Sequence, residues 1–77
     1  MFESFLGIKI YIYDFDHNPP HFHAISAEYE ALIEINSLKV LRGDMPSTKL
    51  KKIIKWAKVN QQFLMQEFEM LNPELRK

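Results

Sequence analysis

The hydrophobic pattern of this chain changes period once, near Asp44, and that change limits the fold more than any other feature. Before it, apolar residues alternate with polar ones. Ile8, Ile10 and Ile12 fall on one side, with Lys9, Tyr11 and Tyr13 on the other, so residues 6–14 read as a half-buried strand of β-branched and aromatic side chains. Residues 21–26 alternate over a shorter span. Residues 29–35 alternate again, with Tyr29, Ala31, Ile33 and Ile35 set against Glu30, Leu32 and Glu34. Asn36-Ser37 is a polar break, and residues 38–41 read as a short fourth strand, so 29–41 has the form of a hairpin.

After Asp44 the spacing becomes helical. Leu50, Ile53, Ile54, Ala57, Phe63 or Leu64, Phe68 and Leu71 recur at intervals of three and four. Pro46 suits a first helical turn, where its missing N–H has no partner to lose, and Asp44 or Ser47 is placed to cap it. Asn72-Pro73 ends the run, because a residue before proline is pushed out of the helical region. One helix over 46–71 would measure about 39 Å at 1.5 Å per residue. That is longer than a small sheet can cover, so its far half projects, kinks or packs on a partner. The expected architecture is α+β: a small antiparallel meander of three to four strands followed by one long C-terminal helix on one sheet face.

The 77 residues fit a single domain with a thin core. Without cysteine, no disulfide can reinforce it, so stability borrowed from a homo- or hetero-oligomer is expected. The absence of cysteine, of a long apolar run and of a basic N-terminal region leads to the expectation of a cytoplasmic protein with no membrane span. A formal net charge of zero argues against a globally basic nucleic-acid binder and leaves local patches open.

All three histidines fall within seven residues of the segment Asp16-His17-Asn18-Pro19-Pro20-His21-Phe22-His23. On a strand His21 and His23 point to the same side, and the prolines stiffen the turn that carries His17. Three roles compete for this cluster. It can be a structural turn whose imidazoles bond carboxylates or backbone. It can bind a divalent metal through His17, His21 and His23 with a nearby carboxylate. It can perform acid–base or phosphate-contact chemistry near neutral pH. If Ile8, Ile10, Ile12, Phe22, Ala24 and Ile33 face the helix, the opposite face offers Tyr11, Tyr13, His21, His23, Glu30 and Glu34. That face is a site, a solvated surface or a partner surface. The exposed Tyr11 and Tyr13 suit the last.

The first half of the helix is basic. Arg42, Lys49, Lys51, Lys52, Lys55 and Lys58 are offset there by Asp44 alone, and Lys51, Lys55 and Lys58 share one face. Lysines near a helix N-terminus oppose its dipole at a cost of some tenths of a kcal/mol each, so the pattern points to RNA, DNA or an acidic protein as readily as to a solvated face. Trp56, the single tryptophan, lies off the main apolar stripe and is either an edge-of-core residue or an interface anchor.

The run from Asp16 to Ala24, preceded by the Gly7-Ile8 strand and followed by Leu41-x-Gly43-x-Met45-Pro46 and a helix bearing Trp56, resembles the signature of the bacterial domain of unknown function 4160 family. The resemblance spans roughly residues 5–71. It departs from the family late in the helix, where Phe68 stands in place of a second tryptophan. The resemblance implies a toxin-like member of a type II toxin–antitoxin pair, whose partner is an antitoxin-like protein of the domain of unknown function 2442 family. It also implies Asp16, His17, His21 and His23 as the residues of activity. The working expectation is therefore general acid–base chemistry on nucleic acid, with His21 or His23 as base, His17 as acid and the helix lysines on phosphates. The rivals are a non-enzymatic interaction module and a small metal-binding protein.

Overall fold

A computed structural model of the chain describes residues 2–13 and 18–73. Its elements in order are β1 (Phe2–Phe5), β2 (Ile8–Tyr11), β3 (His21–Ser26), β4 (Tyr29–Glu34), β5 (Val40–Asp44), α1 (Ser47–Val59) and α2 (Gln61–Leu71). The strands form one antiparallel five-stranded sheet in the order β1-β2-β3-β4-β5. The fold is α+β, as the change of period implies, and it differs from the expected one in having an added strand and a divided helix.

The added strand comes from a tight turn. Phe5 pairs with Ile8, leaving Leu6 and Gly7 as a two-residue connection with φ of 52° and 76°. Positive φ at both central positions is the geometry of the type I′ hairpin, whose twist matches that of the flanking strands. The stretch read as one strand over 6–14 is therefore a turn followed by the shorter β2. β1 has only four residues, too few for a visible alternation.

The helix divides at Asn60. The Asn60 N–H donates to the Trp56 and Ala57 carbonyls at 3.2 and 3.1 Å, and the Leu64 N–H donates to the Asn60 carbonyl at 2.8 Å. The Asn60 side-chain Nδ2 also donates to the Trp56 carbonyl at 2.8 Å. A short amide side chain that competes for backbone carbonyls favours helix ends. Asn60 thus closes α1 through its N–H and opens α2 through its carbonyl, and the buried Ile53, Ala57, Leu64 and Phe68 keep helical spacing on both sides of it. Neither Asp44 nor Ser47 caps α1: Pro46 holds the cap position, without a side-chain hydrogen bond, and its carbonyl accepts from the Leu50 N–H at 2.8 Å.

The core lies between one sheet face and the helices. Ile8, Ile10, Ile12, Phe22, Ala24, Ala31, Ile33 and Ile35 supply the sheet side, and Ile53, Ala57, Leu64 and Phe68 the helix side. Two polar ties hold the far ends. Gln61 Nε2 donates to the Ile35 and Asn36 carbonyls at 2.6 and 2.9 Å. The fully buried Asn72 donates through Nδ2 to the Tyr13 carbonyl at 3.0 Å and the Phe68 carbonyl at 3.1 Å. Among the described residues, no helix is long and apolar enough to cross a membrane.

β5 lies at a sheet edge and is exposed along its length. Its register slips opposite Leu32 and Ile33, which pair with Arg42 and Val40, so Leu41 is the extra residue of a bulge. Beside it, Gly43 sits at φ 92°, where a Cβ would fall 2.1 Å from the Glu30 carbonyl oxygen. That contact is with backbone and cannot be relieved by a rotamer change. Gly43→Ala is expected to cost about 2–4 kcal/mol in urea denaturation. Gly7→Ala, with open space around the added methyl, is expected to cost only about 1 kcal/mol for its left-handed backbone.

Candidate functional site

The sheet face away from the helices carries a lateral row of side chains set by strand register. Tyr11 pairs with His23, His23 with Leu32, and Leu32 with Arg42, so these four lie side by side across β2 to β5. Directly paired residues project to the same face of an antiparallel sheet. The next row holds Lys9, Ile25, Glu30 and Asp44. Glu30 is therefore a diagonal neighbour of His23, and its Oε2 accepts from His23 Nδ1 at 3.3 Å. A carboxylate only accepts, so this contact puts a hydrogen on Nδ1 and makes Nε2 the basic nitrogen of the neutral ring.

The ring of His23 is held on two further sides. Tyr13 meets it edge-on, with centroids 4.6 Å apart, and Tyr13 in turn stacks on Tyr11 at 5.7 Å. The ring of His21 lies 5.2 Å away. In front of the pair is an open depression of about 480 Å³ lined by Asn18, Pro19, His21, His23, Leu32, Leu41 and Arg42. Arg42 is the cation of this lining.

The two histidines are not equivalent. His21, at the start of β3, is 5% exposed and packs against Phe68 of α2 with centroids 5.8 Å apart. Its Nδ1 donates to the Pro19 carbonyl at 2.8 Å, which ties the proline turn to the sheet, and its Nε2 is buried. His21 was expected on an exposed face beside His23. Its position at the end of the sheet, under the last turns of α2, removes it from solvent instead. His23 is the more accessible of the two, with 13% of its side chain exposed, and the Glu30 side chain is 51% exposed.

The remaining sequence candidates fall in different places. Asp16 and His17 lie outside the described residues. Tyr11 and Tyr13 stand on the open face beside His23. Lys51, Lys55 and Lys58 line a separate depression of about 460 Å³ with Leu50 and Ile54 on α1. The buried Ile53 and Ala57 turn α1 toward the sheet, so these lysines project away from it and do not join the histidines. Trp56 is half-buried, stacked on Phe5 at 5.1 Å and edge-on to Phe22 at 6.3 Å, so it is tied to the core while lining a surface depression. Among the described residues, no group of three or more potential metal ligands comes together. Sequence reading missed Arg42 as a site residue, because it was counted with the helix lysines. Its strand register with Leu32, visible only in the paired sheet, is what places it by His23.

The fold and this face define a small α+β protein with a histidine-bearing sheet surface. The chain belongs to the family described as Domain of unknown function (DUF4160), whose model matches residues 7–69. No curated protein and no solved structure matches it.

The unequal placement of the histidines sets an order for their substitution. His21→Ala removes a buried ring and the bond to Pro19, and should cost about 2–3 kcal/mol in chemical denaturation. His23→Ala should cost about 1 kcal/mol, since its polar partner is a half-exposed carboxylate. An equal or reversed order would contradict the assignment of His21 to the framework.

Proposed function

We propose that this protein is the toxin-like member of a bacterial two-protein toxin–antitoxin system and that it acts on RNA by general acid–base catalysis centred on His23. The observation that carries the reading is that His23, bonded to Glu30, lines a depression that also contains Arg42. Glu30 fixes the ring orientation and keeps Nδ1 protonated, so Nε2 is the atom that takes a proton. Arg42 supplies a planar cation suited to a phosphate. Nε2 of His23 removes the proton of a ribose 2′-hydroxyl. The 2′-oxygen bonds to the adjacent phosphorus, and the bond from phosphorus to the 5′-oxygen breaks. The products are a 2′,3′-cyclic phosphate and a 5′-hydroxyl, whose proton comes from the acid. His17 is the sequence candidate for that acid. His21 acts as a positioning residue through its bonds to the Pro19 turn and its packing behind His23.

The two-protein assignment is what the resemblance of the histidine motif implies, with an antitoxin-like protein of the domain of unknown function 2442 family as the partner. In this reading the helix lysines are not on the reacting phosphate. Burial of His21 favours a second reading, a non-enzymatic interaction module in which the histidine turn only builds the surface.

Expression in a bacterial host separates the two. Growth arrest by the wild-type chain, lost in His23→Ala, Glu30→Gln and Arg42→Ala while circular dichroism shows each variant folded at the growth temperature, is the expected result. Purified protein should release RNA fragments ending in 2′,3′-cyclic phosphate. Arrest that persists in folded His23→Ala, or a wild-type chain that neither arrests growth nor cleaves RNA, leaves the interaction module in its place.

A further inference from the structure

The helical segment carries a second apolar stripe besides the one buried on the sheet. Trp56, Val59, Phe63 and Met70 recur with Lys52 and Gln66 at alternating steps of four and three from 52 to 70. That is the spacing of the two core positions of a heptad repeat. The stripe spans the junction at Asn60, across which the buried residues Ile53, Ala57, Leu64 and Phe68 keep a single helical spacing. It is set to one side of Ile53, Ala57, Leu64 and Phe68, the residues that meet the sheet.

Apart from the half-buried Trp56, the apolar residues of this second stripe are uncovered. Val59 is 83% exposed, Met70 72% and Phe63 45%. At its β1 end, Leu6 is 72% exposed and joins Trp56 and Val59 around a depression of about 430 Å³ edged by Lys52 and Lys55. Exposed apolar surface arranged along one seam marks an association site, whereas scattered apolar residues do not.

Charge along the seam selects the occupant. α1 contains lysines and no acid; α2 contains Glu67 and Glu69 and no base. A parallel copy would set lysines against lysines. An antiparallel copy, related by a two-fold axis at Gln61, sets Val59 against Phe63, Trp56 against Gln66 and Lys52 against Met70. The same axis brings Lys55 to Glu69 on the flank of the seam. Every pair occurs twice, as an isologous interface requires. We infer that the α1–α2 seam is the interface of an antiparallel homodimer of this chain. It leaves the His23 face, on the other side of the sheet, open to solvent.

Sedimentation of the purified full chain across a concentration series tests this directly. The wild type is expected to be a dimer. Phe63→Glu and Val59→Glu, both at exposed positions, should weaken the dimer by about a hundredfold or more while leaving circular dichroism and melting of the monomer intact. Lys55→Glu and Glu69→Lys should each weaken self-association roughly twofold to fivefold per pair. An equimolar mixture of those two variants should restore it, because the swapped charges meet again only in an antiparallel heterodimer. A wild type that stays monomeric to millimolar concentration overturns the proposal, including one that binds a different protein or anionic vesicles through this stripe. A dimer untouched by Phe63→Glu overturns it too, and a mixture with no recovery removes the antiparallel arrangement.

Discussion

Everything else in this fold depends on burying one face of a five-stranded sheet beneath two successive helices. Ile8, Ile10, Phe22 and Ile33 meet Ile53, Leu64 and Phe68 there, all essentially removed from water. Each such side chain contributes about 1.5–3 kcal/mol on burial. The sheet has a single apolar face to offer, so the alternate residues of each strand are turned outward. Tyr11, His23, Glu30 and Arg42 form a surface because their neighbours in sequence form the core. Core and candidate site are two consequences of the same alternation.

The ends of this sandwich are closed by polar side chains. Asn72 joins the last turn of α2 to the chain beyond β2, and Gln61 joins the start of α2 to the β4–β5 connection. His21 belongs to this framework more than to the reactive surface, since it links the Pro19 carbonyl to the ring of Phe68. A histidine motif therefore divides between two tasks: one ring fixes the turn, and the next on the same strand faces the depression. The stiffness of the first is what gives the second a defined position. The division at Asn60 completes the arrangement: both helices bury one face on the sheet and carry a second apolar stripe outward.

Much of this was legible in the residues. The isoleucines of β2, the alternation of β4 and the helical spacing after Met45 disclose α+β structure, because a half-buried strand and an amphipathic helix impose different periods on the same apolar side chains. β1 was hidden, since Phe2 to Phe5 is too short to show a period and its turn rests on Leu6 adopting positive φ. The length of the helical run allowed for a kink, but its place at Asn60 was hidden, because one asparagine within an apolar pattern is compatible with a continuous helix. The open-face position of Tyr11 and His23 could be read from alternation, whereas Arg42 could not be assigned to them without the register of β5.

The sequence by itself determined which side chains are apolar and at what spacing, and hence the class of structure and the histidine-bearing segment within it. Those properties are local: they depend on residues a few positions apart and on the geometry of one strand or one turn of helix. Only the tertiary structure decided that His21 is enclosed and His23 accessible, that Glu30 meets His23, and that the α1 lysines project away from both. Such relations join residues on different elements, and they are set by strand register and by where the helix end comes to rest on the sheet.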